Sequence, residues 1–154
     1  MDFTLIKVKE DDILFLLDLR INTMSEHFEK ANVSLSTNDH LELVKENFEC
    51  MYFVLCDDKK IGMLKYEETG CVCKIHQLQI IPRHQGKGYG RDILNFTKAL
   101  FVDNNRTGCK FITVDAYRES LDFYVKNGFK YLSSRDKKSD TRLMYYNLGS
   151  LNDY

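Results

Sequence analysis

The chain holds a single proline, Pro82, in 154 residues, no excess of charge of either sign, and no long apolar run. Each shortage excludes something. With 22 basic against 23 acidic residues the net charge is -1, so there is no broad positive field of the kind that supports non-specific binding to nucleic acid or to a membrane. A local basic patch stays open. No apolar stretch is long enough to span a bilayer. The opening Met1-Asp2-Phe3-Thr4 lacks the basic region, apolar run and small-residue cleavage site of a secretory leader, and a cytoplasmic location is expected. The five cysteines, at positions 50, 56, 71, 73 and 109, are odd in number and unlike a secreted disulfide framework, so reduced thiols are expected. Cys71-Val72-Cys73 is spaced C-x-C rather than C-x-x-C, and no second Cys/His pair has zinc-like spacing. Strand alternation accounts for the two thiols, and no metal is expected.

What is present is ordinary for a globular protein: 44% hydrophobic and 29% charged residues in 18.1 kDa, enough to bury a core within one domain spanning 1–154. There is no internal repeat, low-complexity tract or compositional break. Phe3 to Lys9 alternates as a strand. Asp11-Asp12 then offers a cap to a segment with Ile13, Leu16, Leu17, Ile21 and Met24 at helical spacing. Thr23 to His40 is polar and weakly patterned, and it ends in Ser36-Thr37-Asn38-Asp39 ahead of a second helix marked by Leu41, Val44 and Phe48. Met51–Cys56, Ile61–Glu67 and Cys71–Ile81 read as three strands of an antiparallel meander, turned at Asp57-Asp58 and Thr69-Gly70 and closed by Pro82.

A long helix follows, with Ile93, Phe96 and Leu100 at its centre, widened by Leu94 and Phe101, and ending near Asn104-Asn105. Lys110–Asp115 is a short strand and Arg118–Lys126 a short helix stopped at Asn127-Gly128. Strands around 129–133 and 141–148 complete the chain. The order β-α-α-β-β-β-α-β-α-β-β implies an α/β protein with a mixed sheet, since the first half carries hairpins while the second alternates helix with strand.

Residues 78–91 carry the chemistry. Leu78-Gln79-Ile80-Ile81-Pro82-Arg83-His84-Gln85-Gly86-Lys87-Gly88-Tyr89-Gly90-Arg91 is a strand, a glycine-rich turn and the start of a helix. Glycines let backbone approach closely, and the unpaired amides of a first helical turn favour an anion. Three phosphate motifs compete. The NTPase loop fails, because Gly86-Lys87 is followed by Gly88 and not by a hydroxyl residue. The dinucleotide fingerprint matches Gly86 and Gly88 but meets Arg91 where a third glycine belongs, and an antiparallel meander precedes it. What remains is Q-x-x-G-x-G, formed by Gln85, Gly88 and Gly90.

With Phe123-Tyr124-Val125-Lys126-Asn127-Gly128-Phe129 downstream, this pattern resembles the GNAT superfamily of acyl-CoA-dependent N-acyltransferases over essentially the whole chain. The resemblance implies acetyl-CoA as co-substrate and a primary amine as acceptor. It implies that backbone at Leu78, Gln79 and Ile80 pairs with the pantetheine arm and the acetyl carbonyl. Amides of Gln85, Gly86, Lys87, Gly88, Tyr89, Gly90 and Arg91 would receive the pyrophosphate. Tyr124 would be the general acid, since a phenol near pKa 10 is protonated at neutral pH; packing with Leu121 and Val125 is its structural alternative. The amide near Gln79 or Ile80 would steady the oxyanion.

Where many relatives place a glutamate, the strand offers Lys74, His76 and Gln77, and histidine is the residue type suited to base chemistry at neutral pH. His76 is the candidate base, with Glu67 and Glu68 on the neighbouring strand. Tyr117 stands where many relatives carry asparagine, and Ser120 and Arg118 are the substitutes for contacts along the phosphopantetheine. The acceptor is expected near residues 20–38, where Arg20, Glu26, His27 and Glu29 are polar candidates. Two other readings stay open: a non-catalytic CoA-binding regulatory module, and a toxin acetylating aminoacyl-tRNA, against which the net charge argues. A homodimer also stays open.

Overall fold

A computed structural model describes residues 2–30, 34–103 and 108–149. The elements follow the expected order: β1 (Phe3–Lys7), α1 (Ile13–Lys30), α2 (Thr37–Lys45), β2 (Met51–Cys56), β3 (Lys59–Thr69), β4 (Val72–Ile80), α3 (Tyr89–Asp103), β5 (Phe111–Tyr117), α4 (Leu121–Lys126), β6 (Lys130–Tyr131) and β7 (Thr141–Asn147). The seven strands form one mixed sheet in the order β1-β2-β3-β4-β5-β7-β6. The chain divides into two compact units, Met1–Lys65 with Gln77–Gly90, and Tyr66–His76 with Arg91–Tyr154.

Local chemistry explains the first unit's boundaries. Asp12 accepts from the Lys9 amide at 2.9 Å and caps a 3-10 turn, Glu10–Asp12, that leads into α1. Ser36 and Asp39 form a reciprocal capping box at the start of α2: Ser36 Oγ accepts from the Asp39 amide at 3.1 Å and Asp39 Oδ2 from the Ser36 amide at 2.9 Å, which satisfies two otherwise orphaned donors. Asp57 and Asp58 both adopt positive φ, 48° and 66°, the backbone of a tight hairpin turn whose twist matches the strands it joins. The core of this unit gathers Val8, Leu16, Leu19, Val44, Met51, Phe53 and Met63.

Two helical expectations need correction. The polar segment after Thr23 continues α1 to Lys30, and the buried face of α1 is Leu16, Leu19 and Arg20, so the charged Arg20 takes a place that apolar periodicity alone left out. On α2, His40 and Val44 are the buried residues, while Phe48 lies in a separate 3-10 turn, Phe48–Cys50. The first unit also holds a close backbone approach. A Cβ built on Gly62 would collide with the Gln79 carbonyl oxygen and lie 3.3 Å from both the Gln79 carbonyl carbon and the Ile80 Cα. Ile81 then donates to the Ile61 carbonyl at 2.9 Å.

In the second unit β4 and β5 pair in parallel from Val72↔Phe111 to Ile75↔Val114, and β5 pairs antiparallel with β7 along its whole length. On α3, Ile93, Leu94, Thr97, Lys98 and Phe101 are buried. Leu100 is 39% exposed, so the apolar face is centred one residue away from the expected Ile93-Phe96-Leu100 line; the end expected near Asn104-Asn105 lies outside the described residues. Cys73 shares the buried face of β4 with Ile75, whereas Cys71 falls in the turn before the strand and is exposed, so the C-x-C triplet is split between turn and strand. Burial pushes the Cys73 thiol well above its ordinary range, with the nearby Cys109 and Glu68 adding to the effect.

Substituting Gly62 tests the close approach. Gly62→Ala should cost about 1–3 kcal/mol, the range for overpacking a tight site, because the opposing atoms are backbone and cannot swing aside. Urea unfolding measures it.

Candidate active site

The glycine turn takes its shape from the first unit alone. After β4, Pro82–His84 forms a 3-10 turn, and the Gln85 amide donates to the Pro82 carbonyl at 3.1 Å. The Gln85 side chain reaches back, its Nε2 donating to the Ile80 carbonyl at 3.0 Å, so this glutamine ties the turn to the end of the strand. Gly86 and Gly88 have φ of 74° and 85°, a region other residues enter only at a cost. At Gly86 the space where a Cβ would stand is open, so conformation rather than crowding selects glycine there. Among the described residues, no backbone hydrogen bond outside the helices occupies the amides of Gly86 to Arg91, and α3 starts at Tyr89.

The surroundings of this turn are basic. Burial holds the His84 imidazole below its ordinary value, and the charges of Arg83, Lys87 and Lys59 add to the effect. His84 accepts from Arg83 Nε at 3.3 Å and stands edge-on to Tyr89 with ring centroids 6.0 Å apart. The net charge of -1 therefore conceals a local positive patch around unpaired amides, the composition of an anion site. Leu78 and Ile80 are half-buried and Gln79 is buried. Gln79 Nε2 has no hydrogen-bond partner among the described residues, a cost that a ligand acceptor would remove.

The second unit holds the other candidates. Tyr124 is 7% exposed, its ring set edge-on between Phe123 at 5.1 Å and Phe129 at 5.3 Å. Its neighbour Val125 is 46% exposed, so the structural alternative holds for the buried Tyr124 ring but not for a face shared with Val125. Burial pushes the Tyr124 phenol up to about 12, and the hydroxyl makes no hydrogen bond among the described residues. His76 Nε2 lies 3.1 Å from Glu67 Oε2, so two separately considered candidates form one pair; Glu68 is exposed. Arg118 is committed elsewhere: it donates to the Ser139 carbonyl at 3.0 Å and the Lys137 carbonyl at 2.8 Å. Ser120 precedes α4 without capping it through its side chain, and Tyr117 is half-buried. Of the acceptor candidates, Arg20 is buried and Glu29 exposed, while the side chains of Glu26 and His27 lie outside the described residues.

One residue here was not legible in the sequence. Lys98, on the buried face of α3, donates to the Asn127 carbonyl at 2.5 Å, with its ammonium 4.0 Å from the Tyr146 ring centroid and 5.6 Å from that of Phe129. Burial holds its ammonium below the ordinary lysine value. Asn127 and Gly128, whose φ is 88°, end α4, and the Phe129 amide donates back to the Tyr124 carbonyl at 3.0 Å. Lys98 thus anchors the turn that seats Tyr124.

The fold is a mixed α/β arrangement with a glycine-rich turn, flanked by basic side chains, at the head of α3. A model of the acetyltransferase (GNAT) domain family matches residues 48–131, more than half of the chain, and the protein belongs to that family. Among curated proteins no sequence matches it. Solved structures share its fold at low identity. Spermidine N-acetyltransferase from Vibrio cholerae, solved with CoA and spermine, is 19% identical with a TM-score of 0.70, covering 98% of each chain. PaiA N-acetyltransferase from Thermoplasma acidophilum, solved with coenzyme A, is 16% identical with a TM-score of 0.65, covering 96% of this chain and 99% of the other. N-acetylglutamate synthase from Neisseria gonorrhoeae, solved with coenzyme A and N-acetylglutamate, is 13% identical with a TM-score of 0.66, covering 96% of this chain and 35% of the other.

Lys98→Ala should destabilise the protein by about 1–3 kcal/mol, the range for losing a hydrogen bond from a charged donor. Denaturant unfolding of the variant checks the value.

Proposed function

We propose that this domain transfers the acetyl group of acetyl-CoA to the primary amine of a small molecule, peptide or protein by direct attack. The observation that carries this is the cradle at Gly86–Arg91, where unengaged amides, two left-handed glycines and the basic group Lys59, Arg83 and Lys87 favour a pyrophosphate. Family membership supplies the acetyl donor, and the solved neighbours that contain coenzyme A support it. The orphaned Gln79 carboxamide suits the amide-rich pantetheine arm. Those neighbours were solved with acceptors or products as different as spermine and N-acetylglutamate, so the fold alone leaves the acceptor open.

In this reading the neutral amine attacks the thioester carbonyl, a carbon–nitrogen bond forms and the carbon–sulfur bond breaks. An amide near Gln79 or Ile80 steadies the oxyanion. His76, oriented by Glu67, takes the proton that the nitrogen loses, and Tyr124 donates toward the departing sulfur. Burial limits the second role. Full transfer from a phenol at about 12 to a thiolate near 8.5 is uphill by about 5 kcal/mol, so the Tyr124 hydroxyl acts first as a hydrogen-bond donor. Transfer completes as the phenolate regains a proton from solvent. A phenol held that high stays protonated across the working range, and an alkaline limb in kcat below pH 10 would belong to another group.

Acetyl-CoA at 100 times its Kd should stabilise the protein by about 2.7 kcal/mol, read as a rise in Tm. Gly88→Asp, which places a carboxylate and a strained backbone in the cradle, should remove that rise; a variant still stabilised would dismiss the cradle as the cofactor site. Tyr124→Phe should lower kcat at least tenfold with little change in acetyl-CoA affinity, and an unchanged kcat would remove Tyr124 from the reaction.

A further inference from the structure

Two lysines among the described residues are buried. Lys65 ends at the Leu43 carbonyl, 3.4 Å away. Lys98, 6% exposed on α3, forms no ion pair among the described residues. Burying an ammonium without an opposite charge is unfavourable, and the buried positions around Lys98 on the helix are Leu94, Thr97 and Phe101, so a methionine would suit that face at lower cost. What the lysine adds is a donor and a charge. Both are directed at the turn that ends α4.

α4 has six residues, too few to hold a helix without help from its surroundings. Its last carbonyls are closed locally. The Asn127 amide and carboxamide donate to the Phe123 carbonyl at 3.2 and 2.7 Å, the Asn127 and Phe129 amides to the Tyr124 carbonyl at 3.1 and 3.0 Å, and the Gly128 amide to the Val125 carbonyl at 3.1 Å. The Asn127 carbonyl, one step past the helix, is closed from α3 by Lys98 Nζ. The same ammonium stands over the Tyr146 ring, on which Gly128 packs so closely that a Cβ there would lie 2.9 Å from Cε2. Phe129 continues the path, tilted against Tyr146 with ring centroids 5.5 Å apart and edge-on to Tyr124.

Two routes therefore run from Lys98 to Tyr124, one through the backbone of Asn127 and Phe129 and one through the rings of Tyr146 and Phe129. The Tyr124 hydroxyl makes no hydrogen bond of its own among the described residues, so within this unit its place is set by its backbone and its ring. We propose that Lys98 is a positioning residue of the reaction, fixing the Tyr124 hydroxyl through the Asn127 carbonyl and the Tyr146 and Phe129 rings. The inference rests on the acetyltransferase reading above, in which that hydroxyl donates toward the departing sulfur. Lys98 acts through Tyr124 and not on the substrate. A donor serves a reaction only when it is held within about 0.5 Å of its productive place, which is the tolerance the Lys98 contacts supply.

The test is a double-mutant cycle read by CoA thiol release with spermidine and glutamate as acceptors. Lys98→Met, which keeps an apolar stem on Tyr146 but cannot donate to Asn127, should lower kcat about fivefold or more, with the affinity and stoichiometry of acetyl-CoA binding unchanged by calorimetry. In a Tyr124→Phe background the same change should lower kcat less than about twofold, because the group it positions is gone. An equal loss in both backgrounds marks a merely structural lysine and overturns the proposal, as does an unchanged kcat in folded Lys98→Met. Lys98→Gln, whose shorter neutral side chain stops short of the Asn127 carbonyl, takes its place in the same cycle if Lys98→Met does not fold. A wild-type protein that acetyl-CoA does not stabilise defeats the acetyltransferase reading instead. In that case, or if neither acceptor is turned over, NMR of protein labelled at the tyrosine ζ-carbon decides the positioning alone. The Tyr124 signal, assigned by its loss in Tyr124→Phe, should shift in the Lys98 variant while that of Tyr52 in the first unit stays in place; an unmoved Tyr124 signal overturns the proposal.

Discussion

The first unit depends on the space that Gly62 leaves beside the backbone of Gln79 and Ile80. Any side chain there would push the end of β4 away from β3 and break the bond from the Ile81 amide to the Ile61 carbonyl. That bond fixes where the strand stops. The stop sets the 3-10 turn at Pro82–His84, and the Gln85 carboxamide returns to the Ile80 carbonyl to hold the glycine turn in register with the strand. A turn made of backbone has little adjustment of its own, so its geometry is borrowed from the packing of the strand end before it.

Much of this was legible in residue order, and the reasons differ by element. The capping box at Ser36 and Asp39, the turns at Asp57-Asp58 and Asn127-Gly128, and the Gln85-Gly88-Gly90 pattern are local, and local geometry is encoded by residue type at short spacing. The misses are tertiary. The end of α1 is polar, so apolar periodicity falls silent although the helix continues to Lys30. Leu100 has the right spacing for a core residue, yet α3 is rotated so that Thr97 and Lys98 are buried in preference to it. Lys65 sat in plain view on an alternating strand, and counting from its pairing with Met51 would have placed it inward. A lysine is so seldom buried that composition argues against the geometry. The pairing of His76 with Glu67 likewise needed the register of the β3–β4 hairpin.

Burial acts on Tyr124 and on the lysines in opposite directions by one mechanism. Removing water penalises the charged form, which raises a phenol and lowers an ammonium. For Tyr124 the result is a hydroxyl that stays protonated. For Lys98 it is an ammonium that must be compensated by the Asn127 carbonyl and two aromatic faces. The Phe129 ring serves both, standing edge-on to Tyr124 and beside the Lys98 ammonium.

Cys71 is the one fully exposed thiol of the five, since Cys56, Cys73 and Cys109 are buried and Cys50 is half-buried. It sits beside the turn that joins β3 to β4. A thiol-reactive dye will therefore find a fast site on the protein itself, one equivalent per chain, before it registers any coenzyme released in turnover. The two signals separate in time: the protein's is a burst that ends at stoichiometry, and the coenzyme's continues for as long as acceptor remains.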